Sequence, residues 1–174
     1  MPLQLSGSSG VLDNSGAFIA GTAVASTSGT SIDYTSIPSW VKRVTILING
    51  VSTNGASGYV LTVQIGSGSF TTSGYLGTVS LLTSGAGVVA ANMSTGHFLN
   101  NIQSNVSILH GKAVIELVGS NKYVITGVLS YSDGPSIALS ASSITIGGAL
   151  DRVRLTTSGG TDVFDAGLVN ITYE

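Results

Sequence analysis

Two histidines, His97 and His110, are the side chains of this sequence whose ordinary pKa suits proton transfer near neutral pH. A serine triad places such a histidine between an activated serine and a carboxylate, and no Gly-x-Ser-x-Gly segment here is followed by a plausible helix. His110 precedes Gly111, which predicts a hairpin turn. His97 follows Gly96 in a predicted loop. We therefore expect both histidines to be turn or surface residues, and we predict no catalytic residues and no enzyme activity.

The eight carboxylate side chains are scattered along the sequence. Glycosidases need two facing carboxylates at a set separation, and no such pair can be identified. Asp162 and Asp165 precede the last predicted strand, where they could bind a cation together with backbone carbonyls. An Asx-turn or an ion pair with an arginine is the alternative use. The chain has no Cys and no zinc, EF-hand or phosphate-loop motif, so the prediction is no cofactor and no metal.

Charged residues make up only 8% of the chain, against about 25% in typical soluble domains. Many of them fall in two segments, one after Trp40 and one near the end. Charged side chains on neighbouring strands pair across a sheet, so we predict an ion-pair network that joins the last strands to residues 40–49. A recognition site is the alternative. The predicted network consists of Lys42, Arg43, Asp151, Arg152, Arg154, Asp162 and Asp165.

The overall charge also narrows the class of partner. Lys and Arg total six, without a basic run, and the pI is near 5.5. Such a chain cannot neutralise many phosphates, so we expect no nucleic-acid binding through a basic face. No stretch approaches 18 consecutive apolar residues. The first residues also lack the basic segment followed by an apolar segment that marks an export signal. We expect no membrane insertion, and a protein that stays in the cell or leaves it with a particle released by lysis.

Hydrophobic residues alternate with a period of two, which indicates strands. In residues 40–49, Val44, Ile46 and Ile48 share one face, while Thr45 and Leu47 lie on the other. Turn signals separate about eleven such segments, which predicts an all-β fold: an antiparallel β-sandwich of jelly-roll type with about 8–11 strands and little or no helix. One short helical turn is possible in 93–103. The predicted strands are 17–25, 30–34, 40–49, 59–65, 76–82, 106–110, 113–118, 123–130, 137–146, 152–156 and 168–173.

The first residues differ from the rest of the chain. Residues 1–15 are thin in large apolar side chains. They are interpreted as an N-terminal arm that docks on a neighbour or on the body of the domain, or as a loosely ordered terminus. No linker interrupts residues 16–174, so this range is predicted to be a single β-sandwich domain.

Several of these segments carry a resemblance to a known group of proteins. Ile37–Arg43 reads Ile-Pro-Ser-Trp-Val-Lys-Arg and lies within the matching segment 31–45. With 49–55, 64–66, 74–75, 150–156, 160–167 and 170–174, it resembles a module of tailed-bacteriophage and prophage structural proteins, often described as tail-fibre-like. The resemblance covers roughly residues 28–174, and its middle, about 76–148, is similar only in composition. The family supplies no catalytic residues.

The resemblance implies a structural protein on the virion surface, assembled in the bacterial host cytoplasm. A head decoration (cement) protein or a short fibre fits the length, and such proteins are commonly trimers that contact other capsid or tail proteins. The alternative is a tail-fibre receptor-binding module that recognises a host surface glycan. Exposed aromatic side chains would then stack on the sugar. The candidates are Tyr59, Tyr75, Tyr123 and Tyr131.

Overall fold

Fourteen strands form two antiparallel sheets in the computed structural model, which describes residues 18–55, 60–85, 87–101 and 105–174. Four of the strands are only two residues long, and the described ranges contain no helix. Accordingly, no helix in these ranges is long and apolar enough to cross a membrane. The strands are β1 (Ile19–Ala20), β2 (Val24–Ala25), β3 (Ser31–Thr35), β4 (Arg43–Thr53), β5 (Leu61–Ser67), β6 (Ser69–Phe70), β7 (Leu76–Thr83), β8 (Val89–Asn92), β9 (His97–Phe98), β10 (Leu109–Gly119), β11 (Lys122–Tyr131), β12 (Ser136–Thr145), β13 (Arg152–Thr157) and β14 (Phe164–Tyr173).

The two sheets differ in size. The nine-stranded sheet has the order β1-β14-β4-β10-β11-β12-β7-β8, with β2 also paired to β14. The five-stranded sheet has the order β3-β13-β5-β6, with β9 also paired to β5. The predicted all-β antiparallel sandwich is therefore confirmed, and its jelly-roll type stays a prediction. The predicted arm, residues 1–15, lies outside the described residues.

The core lies between the two sheets, because alternate side chains of each strand point inward. Val44, Ile46 and Ile48 are buried, as the sequence pattern predicts, while Leu47 is exposed. They belong to a single hydrophobic cluster that includes residues of both sheets. The Tyr34 hydroxyl of β3 donates a hydrogen bond of 2.6 Å to the Val169 carbonyl of β14 and so joins the sheets.

The predicted turn at His110 and Gly111 is wrong. β10 runs through both residues without a break, and Gly111 pairs with Leu129 on β11. Gly111 has a φ of 149°, and a Cβ there would lie 2.0 Å from the Val128 carbonyl oxygen. This glycine is therefore required for a close approach of two strands rather than for a turn. The short strands β8 and β9 were not predicted, and the described part of 93–103 holds no helical turn.

Candidate functional site

The predicted ion-pair network does not form as one unit. Arg43 on β4 donates a hydrogen bond of 2.9 Å from Nε to Glu116 on β10 and forms an ion pair with Glu174 after β14. Both carboxylates lie outside the predicted set, and their hydrogen bonds, that of Glu116 first, raise the pKa of Arg43. The expected link between the last strand and residues 40–49 is thus made by Glu174.

A second charged group lies on the five-stranded sheet. Arg154 donates from Nε and Nη2 to the two carboxylate oxygens of Asp33, at 2.8 and 2.7 Å. Arg152 is paired with its neighbour Asp151 at 2.7 Å, and the hydrogen bond from Arg152 is the largest cause of the lowered Asp151 pKa. Both guanidinium groups lie over the Phe70 ring, at 5.7 Å for Arg152 and 4.0 Å for Arg154.

The other three predicted charges lie apart from these groups. Asp165 accepts a hydrogen bond from the Ser52 hydroxyl. Lys42 and Asp162 form no ion pair with any described residue. In the same ranges, no group of three or more His, Asp or Glu side chains is placed to hold a metal ion. The single network predicted from the sequence is therefore wrong, and the charges are divided between the two sheets.

The predicted glycan-stacking tyrosines are not a surface set. Tyr75 and Tyr123 are 1% and 3% exposed, so the assignment of both as sugar contacts is wrong. The Tyr75 hydroxyl accepts from the Ile65 amide at 2.9 Å, and burial raises its pKa to about 12. Tyr131 is half-buried against the core. Tyr59 lies outside the described residues.

His97 is a core residue, which corrects its predicted place in a surface loop. It is fully buried on β9, with Nδ1 2.8 Å from the Ser142 hydroxyl and Nε2 2.9 Å from the Ser140 hydroxyl. A neutral imidazole has one donor and one acceptor nitrogen, so one serine donates to the ring and the other accepts from it. Burial lowers the His97 pKa to about 3. Among the described residues, both ring nitrogens are bonded to serine hydroxyls and neither to a carboxylate, so the group lacks the orienting acid of a serine triad.

His110 also has a structural contact. It is half-buried on β10, and its Nδ1 accepts a hydrogen bond of 3.2 Å from the Gly50 amide. The same nitrogen lies 3.2 Å from the Asn49 side-chain oxygen. The ring is therefore held against the β4 backbone of the nine-stranded sheet.

The solvent side of the nine-stranded sheet, here called the outer face, carries an unusual number of exposed aliphatic side chains. Six large ones project from five of its strands, β14, β4, β11, β12 and β7. Large contiguous apolar patches are rare on soluble monomers and mark interaction surfaces. The six residues, with their exposed fractions, are Leu47 (41%), Leu82 (38%), Val128 (43%), Ile137 (40%), Leu139 (44%) and Leu168 (43%).

Strand register places these side chains in two groups. Leu47 and Leu168 form one group on β4 and β14, and the other four lie on β11, β12 and β7, with Lys112 and His110 of β10 between the groups. All six fall in two adjacent rows that cross the sheet, and on each strand the two rows are two residues apart. Lys112 is the only Lys, Arg, Asp or Glu in these two rows. The first row runs Asn170, Leu47, Lys112, Val128, Leu139 and Ser80. The second row runs Leu168, Asn49, His110, Ser130, Ile137 and Leu82.

A sequence signal for the outer face exists, although the prediction did not use it. A strand with one solvated face alternates apolar and polar residues, whereas a strand covered on both faces has apolar residues in succession. Val128 and Leu129 are adjacent on β11, and the first is exposed while the second is buried. The same holds for Leu82 beside Leu81 on β7. Such pairs indicate strands with two apolar faces.

The chain was also compared with known proteins. No protein-family model matches it, and no curated protein sequence matches it. The outer face is therefore the feature of the molecule on which a functional proposal can be built.

Proposed function

We propose that this chain is a non-enzymatic structural protein of the surface of a tailed-phage virion, either a head decoration (cement) protein or a short fibre. It assembles there by packing its outer face against a second copy of itself. The observation that carries the proposal is the double row with six exposed aliphatic side chains, in which Lys112 is the one Lys, Arg, Asp or Glu. The resemblance of Ile37–Arg43 and the later segments to phage structural proteins supports the virion location.

The size of the outer face suits a stable contact between proteins. The two aliphatic rows, together with the next two rows, which include Thr45 and Arg43 of β4, cross six strands from β14 to β7 and span about 29 Å by 27 Å, or roughly 800 Å². Standard protein interfaces bury about 800 Å² on each partner. A contact that used the whole outer face would therefore be of the size found in specific complexes.

The charges of the outer face favour a second copy as the occupant. When a surface packs against an identical surface, any net charge on it meets the same charge and is repelled. The two aliphatic rows hold one Lys, and the charged group of Arg43, Glu116 and Glu174 lies toward one end of the sheet. Apart from Lys112, which lies between the two groups of aliphatic side chains, the charges of this surface lie toward its border, as they do in most interfaces.

Substitution in the centre of the outer face tests this contact. We expect the wild-type chain, 17.5 kDa per copy, to have the mass of two copies in size-exclusion chromatography with light scattering, because two identical faces that pack against each other close at a dimer. The mass of three copies would fit the predicted trimer, which needs a different contact surface. Leu139→Asp buries an unpaired charge in the contact, since its cross-strand neighbours Val128 and Ser80 are uncharged, and it should weaken association about 100-fold or more. Val106→Asp, at a 66% exposed position in the segment before β10 and outside both sheets, is the matched control and should leave the mass unchanged.

Three results would count against the contact. The wild-type chain could be a monomer at all concentrations, or Leu139→Asp could keep the wild-type mass while remaining folded by circular dichroism. A variant that begins at residue 18 could become a monomer although its outer face is intact. The last result would assign the association to residues 1–17 instead of the outer face.

A further inference from the structure

We propose that a polar groove on the solvent side of the five-stranded sheet binds a neutral oligosaccharide. The groove has a volume of about 580 Å³ and is formed by eleven residues. Five are threonines, two are serines and two are glycines, and the others are Gln64 and Arg154. The volume lies in the usual range for binding sites, about 300–1,000 Å³, and the lining offers hydroxyl, amide and guanidinium groups.

The centre of the groove is a row of polar side chains held by strand register. Asp33 on β3 pairs with Arg154 on β13, which pairs with Gln64 on β5. Asp33 binds Arg154 through two hydrogen bonds, and Phe70 lies 4.0 Å from its guanidinium carbon. Gln64 donates a hydrogen bond of 3.0 Å to the Thr95 carbonyl. These contacts fix both side chains before any ligand arrives, which lowers the entropic cost of binding.

Both side chains keep hydrogen-bonding capacity after these contacts. A guanidinium has five N–H donors, and Asp33 takes two of them from Arg154. The Gln64 side-chain carbonyl oxygen has no partner among the described residues. Thr72 and Thr95 also line the groove, and both are exposed residues that carry a hydroxyl group. Fixed donors beside fixed acceptors complement the hydroxyl groups of a sugar, each of which donates and accepts.

The charge of the groove selects a neutral ligand. Arg154 is the only charged residue that lines it, and the carboxylate of Asp33 compensates this charge at 2.7 Å. A phosphate or carboxylate ligand would meet no net positive potential. An apolar ligand would find no large apolar side chain in the lining. Peptides are usually bound at a strand edge or through side-chain pockets, and this groove lies over the face of the sheet.

The groove and the outer face lie on opposite sides of the sandwich, because they belong to the solvent sides of different sheets. Association through the outer face would therefore leave the groove open to solvent. Several copies on one particle would bind one glycan surface together and strengthen a weak single contact. Glycan binding does not depend on the proposed location, so the two proposals can fail separately.

A printed array that pairs neutral oligosaccharides with their sialylated or uronic-acid counterparts tests the groove, with the full chain as the probe. We expect binding to neutral members, with affinity that changes little between 50 and about 300 mM salt, since no ion pair is formed. Gln64→Ala should weaken binding of the best neutral sugar about tenfold in calorimetry, because it removes an acceptor and the contact that holds Thr95. Ser39→Ala, at an exposed position between β3 and β4 that does not line the groove, is the control and should bind as the wild type does.

Each other outcome overturns the proposal. Binding to no array member would show that the groove holds only water. A preference for the acidic members, lost at high salt, would show that Arg154 acts as a cation despite Asp33. Equal affinity of folded Gln64→Ala and wild type would place any sugar site elsewhere on the chain.

Discussion

Acid should destabilise this fold through His97. The imidazole is fully buried, and its pKa is lowered from 6.5 to about 3 because burial penalises the charged ring. In the unfolded chain the ring regains its ordinary pKa and takes up a proton below pH 6.5. The unfolded state then binds more protons than the folded state, so stability falls as pH falls from 6.5 toward 3. Above pH 6.5 the contribution is fully present.

The size of the effect follows from the pKa difference. One pKa unit corresponds to about 1.4 kcal/mol, so lowering the pH from 7 to 4 removes about 3 kcal/mol through His97 alone. Domains of this kind have a total free energy of unfolding of about 5–15 kcal/mol. The loss should therefore be visible as a clear shift of the urea midpoint.

Urea unfolding of wild type and His97→Gln at pH 7 and pH 4 measures this effect. Gln is polar and does not titrate, so His97→Gln should be less stable at pH 7 but should lose about 3 kcal/mol less than wild type on acidification. Other acid-sensitive groups, such as the Asp151 and Arg152 pair, contribute equally to both proteins. His110→Gln, at the half-buried second histidine, is the control for removing an imidazole. If His97→Gln and wild type lost the same stability between pH 7 and pH 4, burial of a neutral His97 would be refuted.

Two further experiments test the close strand approach and the cross-strand ion pair. Gly111→Ala should lower the free energy of unfolding by about 3 kcal/mol, since its Cβ would meet the Val128 carbonyl oxygen at 2.0 Å. Gly134→Ala, whose Cβ would have no neighbour within 4 Å, should change it by less than about 0.5 kcal/mol, and equal effects in thermal unfolding would contradict the strand contact. A double-mutant cycle of Asp33→Ala and Arg154→Ala should give a coupling of about 0.5–1 kcal/mol, because the pair is bidentate but about one-third exposed. The cycle of Asp151 and Arg152, which are adjacent in sequence, should give less, and the reverse order would show that pairing across strands adds no stability.

The period of two was sufficient to predict the sandwich, because every long strand must bury one face. Val44, Ile46 and Ile48 follow this rule, and their burial could be predicted from spacing alone. Glycine was less informative, since the same residue serves at turns and at close strand contacts. For that reason the sequence predicted a turn at His110 and Gly111, although strand β10 continues through both residues.

The polar and aromatic residues were harder to place, because their position depends on partners far away in sequence. His97 is buried because Ser140 and Ser142, more than forty residues later, satisfy both ring nitrogens. Tyr123 is buried with its hydroxyl bonded to the Leu150 amide, which lies 27 residues later in the chain. The partner of Arg154 is likewise remote, since strand register brings it to Asp33. None of these pairings leaves a local pattern in the sequence.

Cryo-electron microscopy of purified phage particles whose genome encodes this chain tests the central proposal most directly. We expect density for the chain on the surface of the head or tail, with copies in contact through the outer face around Val128 and Leu139. Regular occupancy over the capsid would assign it to head decoration, and occupancy at the tail would assign it to a fibre. Absence of the chain from the particles, or copies that turn the outer face to solvent, would contradict the proposal.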